Sequence, residues 1–439
     1  MKRQYNILHI IPHAGGGVGA VIRAILAAES VPECPYKHTV ASLEYLNEVT
    51  KKHFTRYRIP WTDEIGAIRQ QELPALVDAA DIVLAHWWNH PLMMQFLFRG
   101  LPPARLIMWS HVNGFFPPQV FFPALFEMPE RFVFTSETSF TAPAIQLLPD
   151  RVKARLRVIR SCSGIPEGAE NVCEKVNPFQ AGYLGTVESC KMHHDFLSMC
   201  ANANIPSPYI VAGGPAHEEL RKRAKAMNLA PRFNILGPVT DPKAIYRQLH
   251  VFAYPLSPRH YGTGEQVLIE AMAYGAVPVV LSNPPEKAIV NHGETGLVAE
   301  SAADFSAELR MLMDNPAERN RLAHGGHRFV MEECGIEHSI RAFHALFDET
   351  LRLPKQPRKL KLQPLDGVTY GSPLHLFMAS LGDAEERRMF EKAFHNHHVD
   401  KFHDDFASKT RGTPFHYLSM LGYDPQLEAL CNDVMINRN

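Results

Sequence analysis

Two successive doubly wound α/β domains followed by a small helical appendix are predicted for this 439-residue chain, on three observations. Short apolar runs alternate with helix-like stretches from Tyr5 to Thr135. A second alternating series begins at Gln180, after a polar break. Past Arg352 the composition changes again.

In the first series, Tyr5–Pro12 reads as a strand and Val18–Ala28 has helical spacing. His38–Leu43, Asp81–His86, Arg105–Ser110 and Arg131–Thr135 read as further short buried strands. Strands alternating with helices imply parallel βαβ units covered on both faces. The stretch IPEGAENVCEKVNP is polar and punctuated by Pro and Gly, the mark of a linker. The expected boundaries are therefore 1–165, a linker at 166–178, and a second domain at 179–351. Strands are expected there at Gln180–Leu184, Tyr209–Ala212, Phe233–Leu236, Val251–Tyr254 and Val277–Leu281. Helices are expected at Met192–Ala203, Pro215–Asn228, Pro242–Leu249 and Glu265–Tyr274, with three more ending near Leu351.

The segment RLPKQPRKLKLQP has five positive residues, no acid and three prolines, so 352–370 reads as a basic linker. Residues 371–439 form the appendix, which contains a repeat: GSPLHLFMASLGD resembles GTPFHYLSMLGYD. Ser372-Pro373 and Thr413-Pro414 each read as an N-cap followed by proline at the first helical position.

Composition excludes several classes. Lys+Arg 45 against Asp+Glu 46 leaves a net charge of −1, without the basic excess expected of a nucleic-acid binder. A hydrophobic content of 46% with 21% charged residues is that of a globular chain. The apolar stretch Ile7–Ile11 is too short for a signal peptide, and no run approaches the roughly 18 residues of a membrane span. Seven cysteines stand singly, so reduced thiols in the cytoplasm are expected, with the basic linker able to touch anionic lipid at the inner membrane face.

The most informative segment is VFAYPLSPRHYGTGEQVLIEAMAYGAVPVVLS. A strand ends at Pro255, a loop carries Arg259, His260, Gly262 and Gly264, and a helix follows. Thr263 with Gln266 reads as a capping box that starts this helix. A strand, a glycine-containing loop and a helix N-terminus suit an anion, through free backbone N–H groups and the helix dipole. Glu270 interrupts VLI and AMA. Buried, it needs donors, which paired sugar hydroxyls or a structural arginine or backbone amide would supply.

This segment resembles the donor-binding signature of the retaining glycosyltransferases of family 4, also called glycosyl transferases group 1. The resemblance continues through GYLGTVESCKMHHDFL, IVAGGP and NPPEKAIVNHGETGLV, covering most of 180–351. It implies the GT-B fold, two Rossmann-like domains facing across a cleft, with a nucleotide-sugar held by the second and the acceptor by the first. By this resemblance Glu270 binds the donor ribose, Lys191 the diphosphate, and Gly185 and Thr186 lie in the adjoining loop. Arg259 is a second candidate cation, and Thr263 and Gly264 line the donor loop. The family's other glutamate, eight positions before Glu270, is replaced by Gly262, while a carboxylate stands at Glu265. Glu265 either takes over the sugar contact or favours the helix dipole. The family's arginine five positions before the lysine is replaced by Thr186.

In the first domain PHAGGGVGAVIRAIL follows a strand, and the resemblance places Gly16 and Gly17 beside the diphosphate. Gly15–Ala20 also satisfies the GxGxxA dinucleotide fingerprint, with Glu44 after the next strand. His111 corresponds to a histidine near the reacting centre, and His86 is either an acceptor-side or a core histidine. Lys191, Arg259 and the helix near Thr263 would stabilise the departing diphosphate electrostatically, so neither a metal nor a cofactor is expected. The cluster His395, His397, His398, His403 and Asp404 reads as a solvated segment rather than a metal site. The expected activity is retaining transfer from a UDP- or GDP-linked sugar to a glycan, lipid-linked glycan or protein. An NAD(P)-dependent oxidoreductase using Gly15–Ala20, or a non-catalytic nucleotide-sugar binder, are the alternatives.

Overall fold

The computed structural model describes residues 4–436, apart from 67, 167, 170, 173–174, 176–177, 397–405 and 407–409. Eight strands come first: β1 Tyr5–Ile11, β2 Tyr36–Ser42, β3 Trp61–Thr62, β4 Ile82–Trp87, β5 Leu101–Ala104, β6 Leu106–Ser110, β7 Arg131–Phe134 and β8 Leu156–Val158. Seven of them form a sheet in the order β3-β2-β1-β4-β6-β7-β8, with every neighbouring pair parallel. Then follow β9 Ala181–Leu184, β10 Tyr209–Ala212, β11 Phe233–Gly237, β12 Val251–Tyr254, β13 Val277–Leu281 and β14 Leu297–Ala299. They form a second parallel sheet, β11-β10-β9-β12-β13-β14. Strand order reverses between β1 and β4 and between β9 and β12. Loops at the carboxyl ends of such strands open the crevice where α/β sheets bind ligands.

The central strands β6 and β12 are buried along their whole length, as parallel strands covered on both faces must be. The helix Gly16–Glu29 buries Val21, Ile22, Ile25 and Leu26 along one stripe. Each such side chain contributes about 1.5–3 kcal/mol when removed from water.

Two compact units result: Met1–Ser161 together with Ser339–Asn439, and Cys162–His338. The chain returns to the first unit within the helix Ile336–Leu351, earlier than the composition change at Arg352, because Phe343 and Phe347 of that helix are core residues. The Phe343 ring stands 4.6 Å from Trp109 of β6.

The basic segment is not a solvated linker. A last strand, β15 Gln356–Arg358, pairs antiparallel with β5, Arg358 binds Glu130, and Lys359 lies over the Phe98 ring. Leu360 and Leu362 are buried. The alternation Lys-Leu-Lys-Leu is a strand-like pattern that the charge run concealed.

The appendix packs on the first unit, and its repeat is structural. Ser372 Oγ accepts from the His375 N–H and Thr413 Oγ1 from the His416 N–H, both at 3.2 Å. His375 Nδ1 accepts from Gly371 N and His416 Nδ1 from Gly412 N, so the two starts share one bonding pattern. Asp424 braces them by accepting from Leu374 N at 3.0 Å. Of the histidine-rich segment, His397, His398, His403 and Asp404 lie outside the described residues, as does the His395 side chain.

Among the described residues no helix is long and apolar enough to cross a membrane. Among the described residues Cys34, Cys162, Cys190, Cys200, Cys334 and Cys431 stand outside any disulfide.

Candidate functional site

In the second unit, the loops after β9 and β12 flank the strand-order reversal. They are stitched together: Ser257 N donates to Lys191 O at 2.8 Å and His193 N to Pro255 O at 3.0 Å. The loops after β9 and β10 also meet closely. Gly213 has φ +129°, and a Cβ there would fall 1.7 Å from Gly185 O. Only glycine permits that approach. Thr186 accepts through its carbonyl from Tyr183 Oη at 2.7 Å.

This stitching carries Lys191 to the start of the helix Gln266–Ala273. Its Nζ lies 3.0 Å from Glu265 Oε2, with both side chains largely buried, and 5.8 Å from the Tyr261 ring centre. Tyr254 Oη donates to the same carboxylate at 2.6 Å. Burial pushes the Glu265 carboxyl upward, but Lys191, His260 and Tyr254 outweigh it and hold its pKa below the usual range. Burial likewise opposes the Lys191 charge, yet Glu265 raises the amine's pKa. Lys191 thus sits in the expected loop as one half of an ion pair.

Gly262 explains the missing glutamate. A Cβ at that position would fall 1.8 Å from Glu265 Oε1. The carboxylate of residue 265 fills the space that a side chain at 262 would enter.

The helix starts later than a capping box at Thr263 would place it. Glu265 holds the N-cap position without a side-chain cap. Gln266 Oε1 instead accepts from Ser163 N at 2.9 Å, while its Nε2 donates to Gly264 O at 2.9 Å. Thr263 is buried in the loop before the helix. The Glu265 carboxylate, drawn to Lys191 and Tyr254, has left the helix start without its side chain.

Glu270, partly buried, accepts from Tyr246 Oη at 3.0 Å. Burial raises its pKa against that hydrogen bond. The structure therefore pairs Lys191 with Glu265 and Glu270 with Tyr246, rather than joining Lys191 to Glu270. The donor to Glu270 is a phenol, neither the arginine nor the amides expected for a structural carboxylate. Arg259 is half-buried in the same loop.

Two further residues at this loop, His260 and Glu286, were given no role by sequence reasoning. His260 Nε2 lies 3.1 Å from Glu286 Oε1, and Glu286 is fully buried. His260 Nδ1 accepts from Gly262 N at 3.1 Å, fixing the loop's turn. Burial opposes the imidazolium, but Glu286 raises the His260 pKa. A glutamate after two prolines, in Asn283–Lys287, offered no local sign of its partner. His260, Glu265 and Glu286 present donor atoms within 4.8 Å of one another, but the Lys191 ammonium already supplies the cation beside Glu265.

In the first unit, Gly16 and Gly17 open the helix after β1, with Gly15 as its N-cap. His13 Nδ1 accepts from Gly15 N at 3.1 Å. Glu44 lies 3.5 Å from His90 Nε2, so the carboxylate of the dinucleotide reading faces a histidine. His90 in turn meets the edge of His416 from the appendix, ring centres 4.7 Å apart. His111 follows β6, and its Nε2 lies 2.9 Å from His86 Nδ1. Burial lowers the His111 pKa to about 3, leaving it neutral at pH 7. His86 is wholly buried between His111 and His9, as a core histidine.

Comparison with known proteins adds to this geometry. Residues 179–315 match the family model described as Glycosyl transferases group 1. An uncharacterized glycosyltransferase of Haemophilus influenzae is 29% identical over 135 residues, which cover 30% of this chain and 37% of that protein. Among solved structures, HepE of Anabaena in complex with UDP and glucose is similar at a TM-score of 0.59 and 15% identity, over 79% of this chain and 100% of that one. Sucrose-phosphate synthase from Thermosynechococcus elongatus is similar at a TM-score of 0.57 and 17% identity, over 79% and 99%. At these identities the structural likenesses speak for the fold alone, which is the two-domain GT-B architecture.

Proposed function

We propose, from the match of residues 179–315 to the glycosyl transferases group 1 model, that the chain transfers a sugar from a nucleotide-diphosphate-sugar to an acceptor, with retention and without a catalytic metal. The observation that carries this reading is the buried Lys191–Glu265–Tyr254 cluster where the stitched loops after β9 and β12 meet. Bringing such charges out of water is costly. A cation held beside a helix start is in place to receive an anion whose charge grows as the reaction proceeds.

In this mechanism Lys191 and Arg259 meet the diphosphate, and Glu265 meets the donor sugar in place of a glutamate at position 262. Glu270, carried on the helix Gln266–Ala273, takes the ribose hydroxyls with Tyr246 steadying its carboxylate. The sugar–phosphate bond breaks as charge collects on the departing diphosphate. The acceptor hydroxyl attacks the sugar from the same face, and its proton passes to a phosphate oxygen. Neutral His111 contributes a hydrogen bond rather than a charge. UDP-bound relatives of the same fold favour a UDP-linked donor, with GDP-linked sugars the comparison.

Calorimetry with UDP, GDP and their sugars tests the reading. Tight binding of one of them by the native chain is expected, weakened at least about tenfold, or 1.4 kcal/mol, in Lys191→Ala and in Glu270→Ala. Unchanged affinity in both variants would overturn it.

A further inference from the structure

A second polar cluster lies in the first unit, apart from any residue assigned to donor or acceptor. Glu29 ends the helix Gly16–Glu29, Cys34 follows in the next loop, His38 stands on β2, and His344 comes from the helix Ile336–Leu351. Glu29, Cys34 and His38 are buried. Donor atoms of Glu29, Cys34 and His344 all lie within 4.8 Å of one another. Cys34 Sγ is 3.6 Å from Glu29 Oε1, His38 Nε2 is 3.3 Å from Glu29 Oε2, and His344 Nε2 bonds Glu29 Oε1.

One atom in this cluster is incompletely satisfied. His38 Nε2 is buried with the Glu29 carboxylate as its ion-pair neighbour and no well-formed hydrogen bond. Buried polar nitrogens without a well-formed hydrogen bond are rare and ask for an explanation. Its other ring nitrogen is tied to His9 Nε2 at 2.9 Å, which orients the ring.

We infer that Cys34, His38, His344 and Glu29 form a binding site for a tetrahedral divalent metal ion, with Zn2+ the best fit. One sulfur, two imidazole nitrogens and a carboxylate oxygen are a donor set that zinc accepts. The separations of Glu29 from His38 and from Cys34, 3.3 and 3.6 Å, are the length of two edges of a tetrahedron whose bonds are about 2.0–2.3 Å. The His38 nitrogen gains a well-formed bond, and the contact from its other nitrogen to His9 is the outer support that ligating histidines usually have. Binding removes the thiol proton from Cys34 and any proton on the two coordinating nitrogens. Thiolate and carboxylate then offset the two positive charges of the ion.

Four protein ligands leave no open position, so the site is structural. It fastens the helix Ile336–Leu351 to β2 and the helix Gly16–Glu29, and so closes the chain's return to its first unit. The inference does not depend on the donor reading.

Cobalt substitution of the full chain tests it. The metal-stripped native protein should bind one Co2+ per chain, with tetrahedral d–d bands and a thiolate-to-cobalt charge-transfer band. Zn2+ should displace the cobalt, and a chelator should lower the melting temperature of the zinc form. Cys34→Ser should abolish the charge-transfer band. His38→Gln and His344→Gln should each weaken binding by more than the roughly 10–100-fold cost of losing an outer support. Substoichiometric binding by the native chain, absence of the charge-transfer band, or variants that bind as tightly as the native chain would overturn the site. Should the variants fail to fold, X-ray absorption of the native zinc form decides: one sulfur with nitrogen and oxygen neighbours supports it, and any other set refutes it.

Discussion

Two regions, the histidines around His90 and His111 in the first unit and the loop that carries Lys191 in the second, handle polarity in opposite ways. The first buries histidines held neutral, such as His90, His111 and His416, each lowered to about 3 chiefly by burial. The second buries Lys191 against Glu265 and His260 against Glu286. Neutral imidazoles need only hydrogen bonds, so their removal costs what an unmet donor or acceptor costs. Charges must be answered by charges. Of these two regions, the one assigned to the anionic donor already holds an ion pair, Lys191 with Glu265.

The largest effect that would break this comparison is at Lys191. Replacing it by Met should destabilise the second unit by about 3–5 kcal/mol, because the Glu265 carboxylate is left buried and unanswered. Adding Glu265→Gln should recover most of that loss. Urea unfolding of the single and double variants measures both, and a strictly additive result would show that the pair is not coupled.

Gly262→Ala should cost about 1–3 kcal/mol by displacing the carboxylate that fills its space. The same substitution in a Glu265→Ala background should cost clearly less. Equal costs in both backgrounds would mean that something other than Glu265 requires glycine.

These two groups of histidines should also respond to pH with opposite sign. His90, His111 and His416 have folded pKa values far below the roughly 6.5 of an unfolded histidine. The unfolded chain therefore binds more protons, and their contribution is lost as pH falls from about 6.5 towards 3. His260 is raised, so its contribution is complete below about 6.5 and lost as pH rises through its folded value. Histidine proton shifts followed by NMR across the two ranges check this. A His260 that titrates below free histidine would reverse the assignment.

The smallest effects belong to the appendix. Ser372→Ala and Thr413→Ala should each cost about 1 kcal/mol through loss of the cap, measured by thermal unfolding. A much larger cost at Thr413 would show that its helix also supports His90 through His416.

The strands of both sheets were legible because parallel strands buried on both faces read as short apolar runs, as in Arg105–Ser110 and Val251–Tyr254. Short edge strands such as β3 and β14 lack that signature. The repeated caps were legible because Ser-Pro and Thr-Pro carry their helix start locally. The Thr263 signal placed the helix start too early, because Glu265, whose carboxylate meets Lys191, stands at the N-cap instead. The leucines at 360 and 362 were hidden by the lysines between them.

Alternation, length and capping are written over a few neighbouring residues, and from them the amino-acid sequence by itself determined two doubly wound domains and most of their elements. Tertiary structure alone decided that Glu265 stands where residue 262 would reach, that Glu270 meets Tyr246, and that His344 returns to Glu29. Charges and donor atoms far apart in the chain share an interior only after the sheets have formed, and no local pattern records which of them will meet.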